Sequence, residues 1–293
     1  MIKKFLFRVF CGFFLGISVF APGFSGSIIA IIMGIYHDIV RITSNPFKKF
    51  KENIVFCIPI GIGVAISAVF FIITFRFLFD KYEKATYFLF VGLICGNIPE
   101  IFTEIKKVPF KFSNALAGAV SFTLTVLLGI FSIYLGDNSV STVMTSSYFR
   151  MGIAGFLGGV VLLVPGMSVS AVLFLAGVYE DLIYIVHDLM VFDFTNLIHF
   201  SVFAFAALVG VVVSSNGIKY VFDKYPGVAN TSVFGFIIGS LLSVLINAVT
   251  LENGNSTWGI NILLLAIGLA ISFLFVILGR YFKKDTEETE VTE

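Results

Sequence analysis

Residues 12–40 read GFFLGISVFAPGFSGSIIAIIMGIYHDIV, and residues 155–183 read GFLGGVVLLVPGMSVSAVLFLAGVYEDLI. Ten of the 29 aligned positions are identical: Gly12, Phe13, Gly16, Pro22, Gly23, Ser25, Ser27, Gly34, Tyr36 and Asp38 each meet their own type 143 residues later. The offset holds further on. Phe79-Asp80-Lys81-Tyr82 returns as Phe222-Asp223-Lys224-Tyr225, and Gly92 and Gly96 return as Gly235 and Gly239. A constant offset over separate stretches marks two copies of one unit.

Each copy holds four apolar segments. The first unit, 1–143, carries a broken segment at 5–40 and runs at 54–79, 86–102 and 112–135. The second, 144–284, carries a broken segment at 149–186 and runs at 197–221, 230–250 and 258–280. The acidic tail 285–293 is expected to be disordered. Apolar runs of about 20 residues cross a bilayer, whereas arms of about 10 to 14 suit a re-entrant segment. The broken segments have short arms on either side of Pro-Gly-x-Ser-x-Ser. Pro removes a helical donor and Gly opens the turn. Met1-Ile-Lys-Lys ahead of Phe5–Phe20 therefore reads as the first arm of a hairpin, not as a cleaved leader, because the same pattern recurs in mid-chain.

Loop charge decides whether the broken segments cross or turn back. With re-entrant hairpins and a cytoplasmic N-terminus, 15 of the 19 basic residues fall on the inner face, leaving Arg76, Lys81, Lys84 and Arg150 outside. If both segments crossed, seven basic residues between Arg41 and Lys111 would lie outside. The expected fold is thus an all-α integral membrane protein of two units, each a re-entrant helical hairpin plus three transmembrane helices. Three is odd, so the second unit is inverted relative to the first. Inverted repeats with broken helices are a recurring transporter design.

Composition agrees. Apolar residues make up 58% of the chain and charged residues 13%, about half the share of a typical soluble domain. A net charge of +1 offers no basic field for nucleic acid. The three cysteines lie singly in apolar runs, and no spacing suits a metal or a cofactor. His37, His187 and His199 form no triad or metal pattern and read as solvated loop residues. The GxxxG pairs at 12/16, 92/96, 155/159 and 235/239 suit close helix packing.

Irregular backbone at membrane depth persists only where protein or a wet cavity surrounds it. The candidate substrate site is therefore the pair of breaks: Pro22, Gly23, Ser25, Gly26 and Ser27 in one unit, with Pro165, Gly166, Ser168 and Ser170 in the other. A helix start offers free N–H groups to an anion, and serine hydroxyls add donors or else cap the helix. Arg8 and Arg150 precede their Pro-Gly by 14 and 15 residues and are candidate entry residues, with Arg76 a third; interfacial snorkelling is the plainer role. Asp38, Asp181 and Glu180, at the hairpin ends, are candidates for coupling to protons or sodium, or are simply solvated. Asn97 and Glu100, near Pro99, are weaker candidates for lining a path; their repeat mates are Ser240 and Ser243, so no acid is kept there.

At PGFSGSIIAIIMGIYHDIV and PGMSVSAVLFLAGVYEDLI, with YFLFVGLICGNIPEIF between, the sequence resembles the bacterial DUF368 family. The resemblance covers nearly the whole chain. It implies a translocase in the bacterial cytoplasmic membrane that returns undecaprenyl phosphate for reuse in cell-wall synthesis, with polyprenyl-phosphate lipid as its partner. The family's first motif usually continues Ser-Gly-Gly-Thr; here Ser27-Ile28 stands in place of the last two, and His37 replaces the acid often found after the Tyr. Two other classes compete. Undecaprenyl-diphosphate phosphatases carry Pro-Gly-x-Ser-Arg-Ser, but the Arg position is Gly26 in one copy and Val169 in the other, and no carboxylates cluster within the spans. A transporter of a small soluble anion is the third reading.

Overall fold

A helix with apolar residues on every side has no face for water, so it is either buried or set against lipid. The computed structural model describes residues 2–21, 29–30, 32–35, 38–39, 41–42, 48–106, 111–136, 148–164, 167–251 and 257–290. Among these residues all regular structure is helical. The helices are α1 (Ile2–Phe20), α2 (Phe50–Lys106), α3 (Phe112–Gly136), α4 (Tyr148–Leu162), α5 (Val169–Leu175), α6 (Tyr179–Met190), α7 (Leu197–Lys224), α8 (Pro226–Thr250) and α9 (Trp258–Glu290). Five of them are long and apolar enough to cross a membrane, within α2, α3, α7, α8 and α9. In α7 only Gly210 is buried, and Phe205 and Val212 stand more than 70% exposed. Such a surface is stable against hydrocarbon and not against water. The chain is a multi-pass membrane protein.

Straight, the 57 residues of α2 would run roughly 85 Å, nearly three times the hydrocarbon thickness. The backbone breaks at Tyr82 (φ −139°, ψ 45°), which divides α2 into 50–81 and 83–106. Tyr225, 143 residues later, has nearly the same conformation (φ −131°, ψ 55°) and separates α7 from α8. Gly34 and Gly177, also mates, are both left-handed at φ 67° and 63°. The packing repeats as well. A methyl group on Gly12 would strike the Ile60 carbonyl oxygen, and one on Gly155 the carbonyl oxygen of Phe203, the mate of Ile60. So α1 lies on the first half of α2 as α4 lies on α7.

The remaining helices pair across the two halves of the sequence. The second half of α2 packs on α9, where Gly92 meets the Leu265 backbone and Gly268 meets that of Leu89. The counterpart is α8 on α3, with Gly235 against the Gly118 backbone. Each half thus lends its last helix to the other.

The broken segment 149–186 differs from a plain two-armed hairpin. Its first arm is α4, of 15 residues, too short to cross. After the break the segment divides again: α5 has seven residues, and α6 leaves it at 113° after the Ala176–Val178 turn. From Ser170 to Leu175 every residue of α5 is buried. Behind it lies an aromatic cluster, with Phe174 stacked on Tyr179 at 4.0 Å and Phe90 within 5.0 Å of Phe174. At the C-terminus α9 continues to Glu290, so helix takes in most of the acidic segment expected to be unstructured.

Candidate substrate site

Ser168 sits at the start of α5 with extended backbone (φ −109°, ψ 130°), where a serine hydroxyl ordinarily bonds an N–H of the first turn. It makes no such bond. Its Oγ lies 2.6 Å from Ser170 Oγ instead. Both serines are buried, Ser170 completely. Because α5 is only two turns long, the polarity here rests on the hydroxyl pair and the free N–H groups of the first turn.

Ser168 borders a void of about 10 Å³, room for no more than one water. Around it stand Ile94 and Asn97 from α2, Ala171 from α5, and Phe236, Ile237 and Ser240 from α8. Ile94 and Ile237 are repeat mates, and so are Asn97 and Ser240. Asn97 and Ser240 are both buried, and the Ser240 hydroxyl donates to the Ile237 carbonyl at 2.9 Å. Equivalent residues of the two units therefore meet at the Ser168 break. A phosphate does not fit a void of this size. Pro22, Gly23, Ser25, Gly26 and Ser27, with Pro165 and Gly166, lie outside the described residues.

None of the three candidate entry arginines lines this void. Arg150 donates from Nε to the Ala176 carbonyl at 2.9 Å and from a terminal nitrogen to Gly177 at 3.1 Å. It ties the start of α4 to the turn that ends α5. About 18 Å of helix separates it from Leu162, the last residue before the break. Arg8 donates to the Val55 carbonyl at 3.3 Å and lies over the Phe56 ring. Arg76 meets His187 Nδ1, stands 3.9 Å from Asp80 and covers the Tyr184 ring. Tyr184 in turn donates to Asp80 at 2.6 Å. His187, read from sequence as a solvated loop residue, is a half-buried part of this link between α2 and α6.

The acids separate in the same way. Asp38 is half-buried and paired with Arg41 at 2.8 Å. Asp181 is half-buried in the first turn of α6. Glu180 is half-buried beside the aromatic cluster and accepts the Tyr87 hydroxyl at 2.7 Å. Among the described residues no three His, Cys, Asp or Glu side chains come together as a metal site. Sequence reasoning gave Asn97 only as a residue lining a path, without linking it to the breaks. The signal it passed over was that both mates are polar residues within apolar spans.

No solved structure matches the chain. A curated relative from Staphylococcus aureus (strain NCTC 8325 / PS 47), a polyprenyl-phosphate transporter, is 28% identical over 273 residues, covering 92% of this chain and 94% of its own. The family model described as undecaprenyl phosphate translocase-like matches residues 15–262. With that match spanning most of its helices, the chain belongs to the undecaprenyl phosphate translocase-like family.

Proposed function

We propose that this protein moves a polyprenyl phosphate, undecaprenyl phosphate or a close relative, between the leaflets of the bacterial cytoplasmic membrane for reuse of the carrier lipid. The phosphate head passes the breaks while the chain stays in lipid. The head carries about −1.5 to −2 charges near neutral pH, as phosphorylated side chains do. Moving it through hydrocarbon unaided costs on the order of tens of kcal/mol. The Ser168–Ser170 hydroxyls, the matching serines 25 and 27 and the side chains of Asn97 and Ser240 take the place of the lost water. No bond is broken.

The observation that carries this reading is the meeting of the mates Asn97 and Ser240 beside the Ser168 hydroxyl pair. Residues 1–143 and 144–284 act as two inverted units, a division supported by the matched breaks at Tyr82 and Tyr225. Exchanging their conformations opens the site to one side and then the other. Both termini are cytoplasmic. Glu180, the half-buried acid beside the aromatic cluster, is the best placed of the three acids for ion coupling.

Purified protein in liposomes should change the leaflet accessibility of undecaprenyl phosphate and release no inorganic phosphate from undecaprenyl diphosphate. Phosphate release that disappears with Ser168→Ala would establish a phosphatase instead. Uptake of a soluble anion with no lipid movement would establish the third class.

A further inference from the structure

A cavity of about 510 Å³, with no lining residue from the Ser168 break, lies between the end of α2, the start of α3 and α8. Its size falls within the roughly 300–1,000 Å³ of small-molecule sites. Its lining is almost wholly apolar and includes Phe102, Ala115, Gly118, Ala119, Thr231 and Phe234. From Asn114 to Phe122 it follows about 12 Å of α3, most of one leaflet's depth. It opens sideways: its lining residues Phe102, Ala115 and Ala119 are exposed.

The repeat explains why the space is there. The mate of Gly118 is Asn261, almost fully buried, and the mate of Thr231 is Phe88, also buried. The mate of Ala115 is Trp258, whose ring lies 6.2 Å edge-on from Phe88. Larger side chains thus stand at these equivalent positions in the other half, where Lys84 lies over the exposed Trp258 and donates to the Leu251 carbonyl. Small ones leave it open here.

Charge identifies the occupant. At the membrane end of the cleft Lys106 is exposed and lies over the Phe102 ring, and exposed Lys111 immediately precedes α3. A long apolar chain running from the cleft toward the bilayer centre places an anionic head beside these two ammonium groups. We infer that the cleft between α2, α3 and α8 binds the head-proximal isoprenoid chain of the lipid phosphate, its head held by Lys106 and Lys111. This rests on the proposed function and adds a holding site, distinct from the Ser168 void, on one leaflet only.

The test uses full-length protein in nanodiscs and liposomes. The probes are a polyprenyl phosphate with a photoreactive group in its first isoprene units and a photoreactive phosphatidylglycerol. The first should label residues 112–122 and 231–238, and unlabelled undecaprenyl phosphate should displace it. Ala115→Trp, which copies Trp258, and separately Ala119→Phe should each cut labelling and transport by about tenfold or more, the loss expected when two buried methylene groups are withdrawn. Leu124→Trp, on an exposed stretch of α3 outside the cleft, should change neither. Both cleft residues already face open space, so the larger side chains leave the helix contacts in place. The inference falls if phosphatidylglycerol labels the cleft equally and is not displaced by the polyprenyl phosphate. It also falls if both cleft variants transport at the wild-type rate. Failure of the underlying substrate reading looks different: wild-type protein itself would neither bind nor move polyprenyl phosphate.

Discussion

Ser168 and Ser170 are two hydroxyls left facing each other where a helix start should have used one. Replacing either with Ala removes one donor from a charged ligand, a loss of about 1.5–3 kcal/mol and hence about tenfold or more in transport. Protein yield should stay near normal, since neither side chain caps α5. A double variant that transports at the wild-type rate would move the site elsewhere. Arg150 belongs to a different argument. It satisfies carbonyls at the left-handed Gly177 turn. Arg150→Ala should therefore lower thermal stability and slow loading from both faces alike, measured in detergent and in liposomes of fixed orientation. Selective loss of loading from one face would mark it as an entry residue. The serines were legible in the sequence because they recur at a fixed offset. The role of Arg150 was not, because its partners are backbone carbonyls 26 and 27 residues away, and a carbonyl leaves no trace in a sequence.

The second broken segment, past its break, shows where hydropathy stops being informative. Residues 169–190 form a largely apolar run, yet the backbone turns through 113° after the left-handed Gly177. A positive φ at one glycine redirects a helix without changing the apolar pattern around it. The helix beyond the turn is held to α2 by polar side chains: Arg76 to His187, Tyr184 to Asp80, and Tyr87 to Glu180. Gly92, Gly155 and Gly235 were read correctly as packing residues, since close approach of two backbones demands that no side chain intervene. The polar links were not readable, because their members lie between 93 and 111 residues apart. Arg76→Gln combined with Tyr184→Phe should raise hydrogen exchange across 179–190 several-fold while leaving 226–250 unchanged. Equal protection in both segments would mean that packing alone fixes α6.

At the scale of the whole chain, topology is the decisive measurement. Single cysteines at Lys48 and Lys106 should be shielded from an impermeant reagent in whole cells, and one at Phe192 should react. Strong labelling at the first two positions would overturn the re-entrant arrangement and with it the inversion of the second unit. The repeat itself was plain in the sequence, and the matched breaks at Tyr82 and Tyr225 agree with it. The pairing of α9 with α2 and of α3 with α8 was not plain, because small residues mark a contact face without naming the partner. That exchange bears on how the protein is made. The chain leaves the ribosome in order, yet the Gly92 face of α2 waits for a helix that begins at Trp258, while α3 waits for α8. For most of its synthesis the first half sits in the bilayer with these faces uncovered, open to chaperones and membrane proteases. Either half expressed alone should be degraded, and the two co-expressed as fragments split between residues 136 and 148 should protect each other. Assembly is then a single event that only the last helix completes.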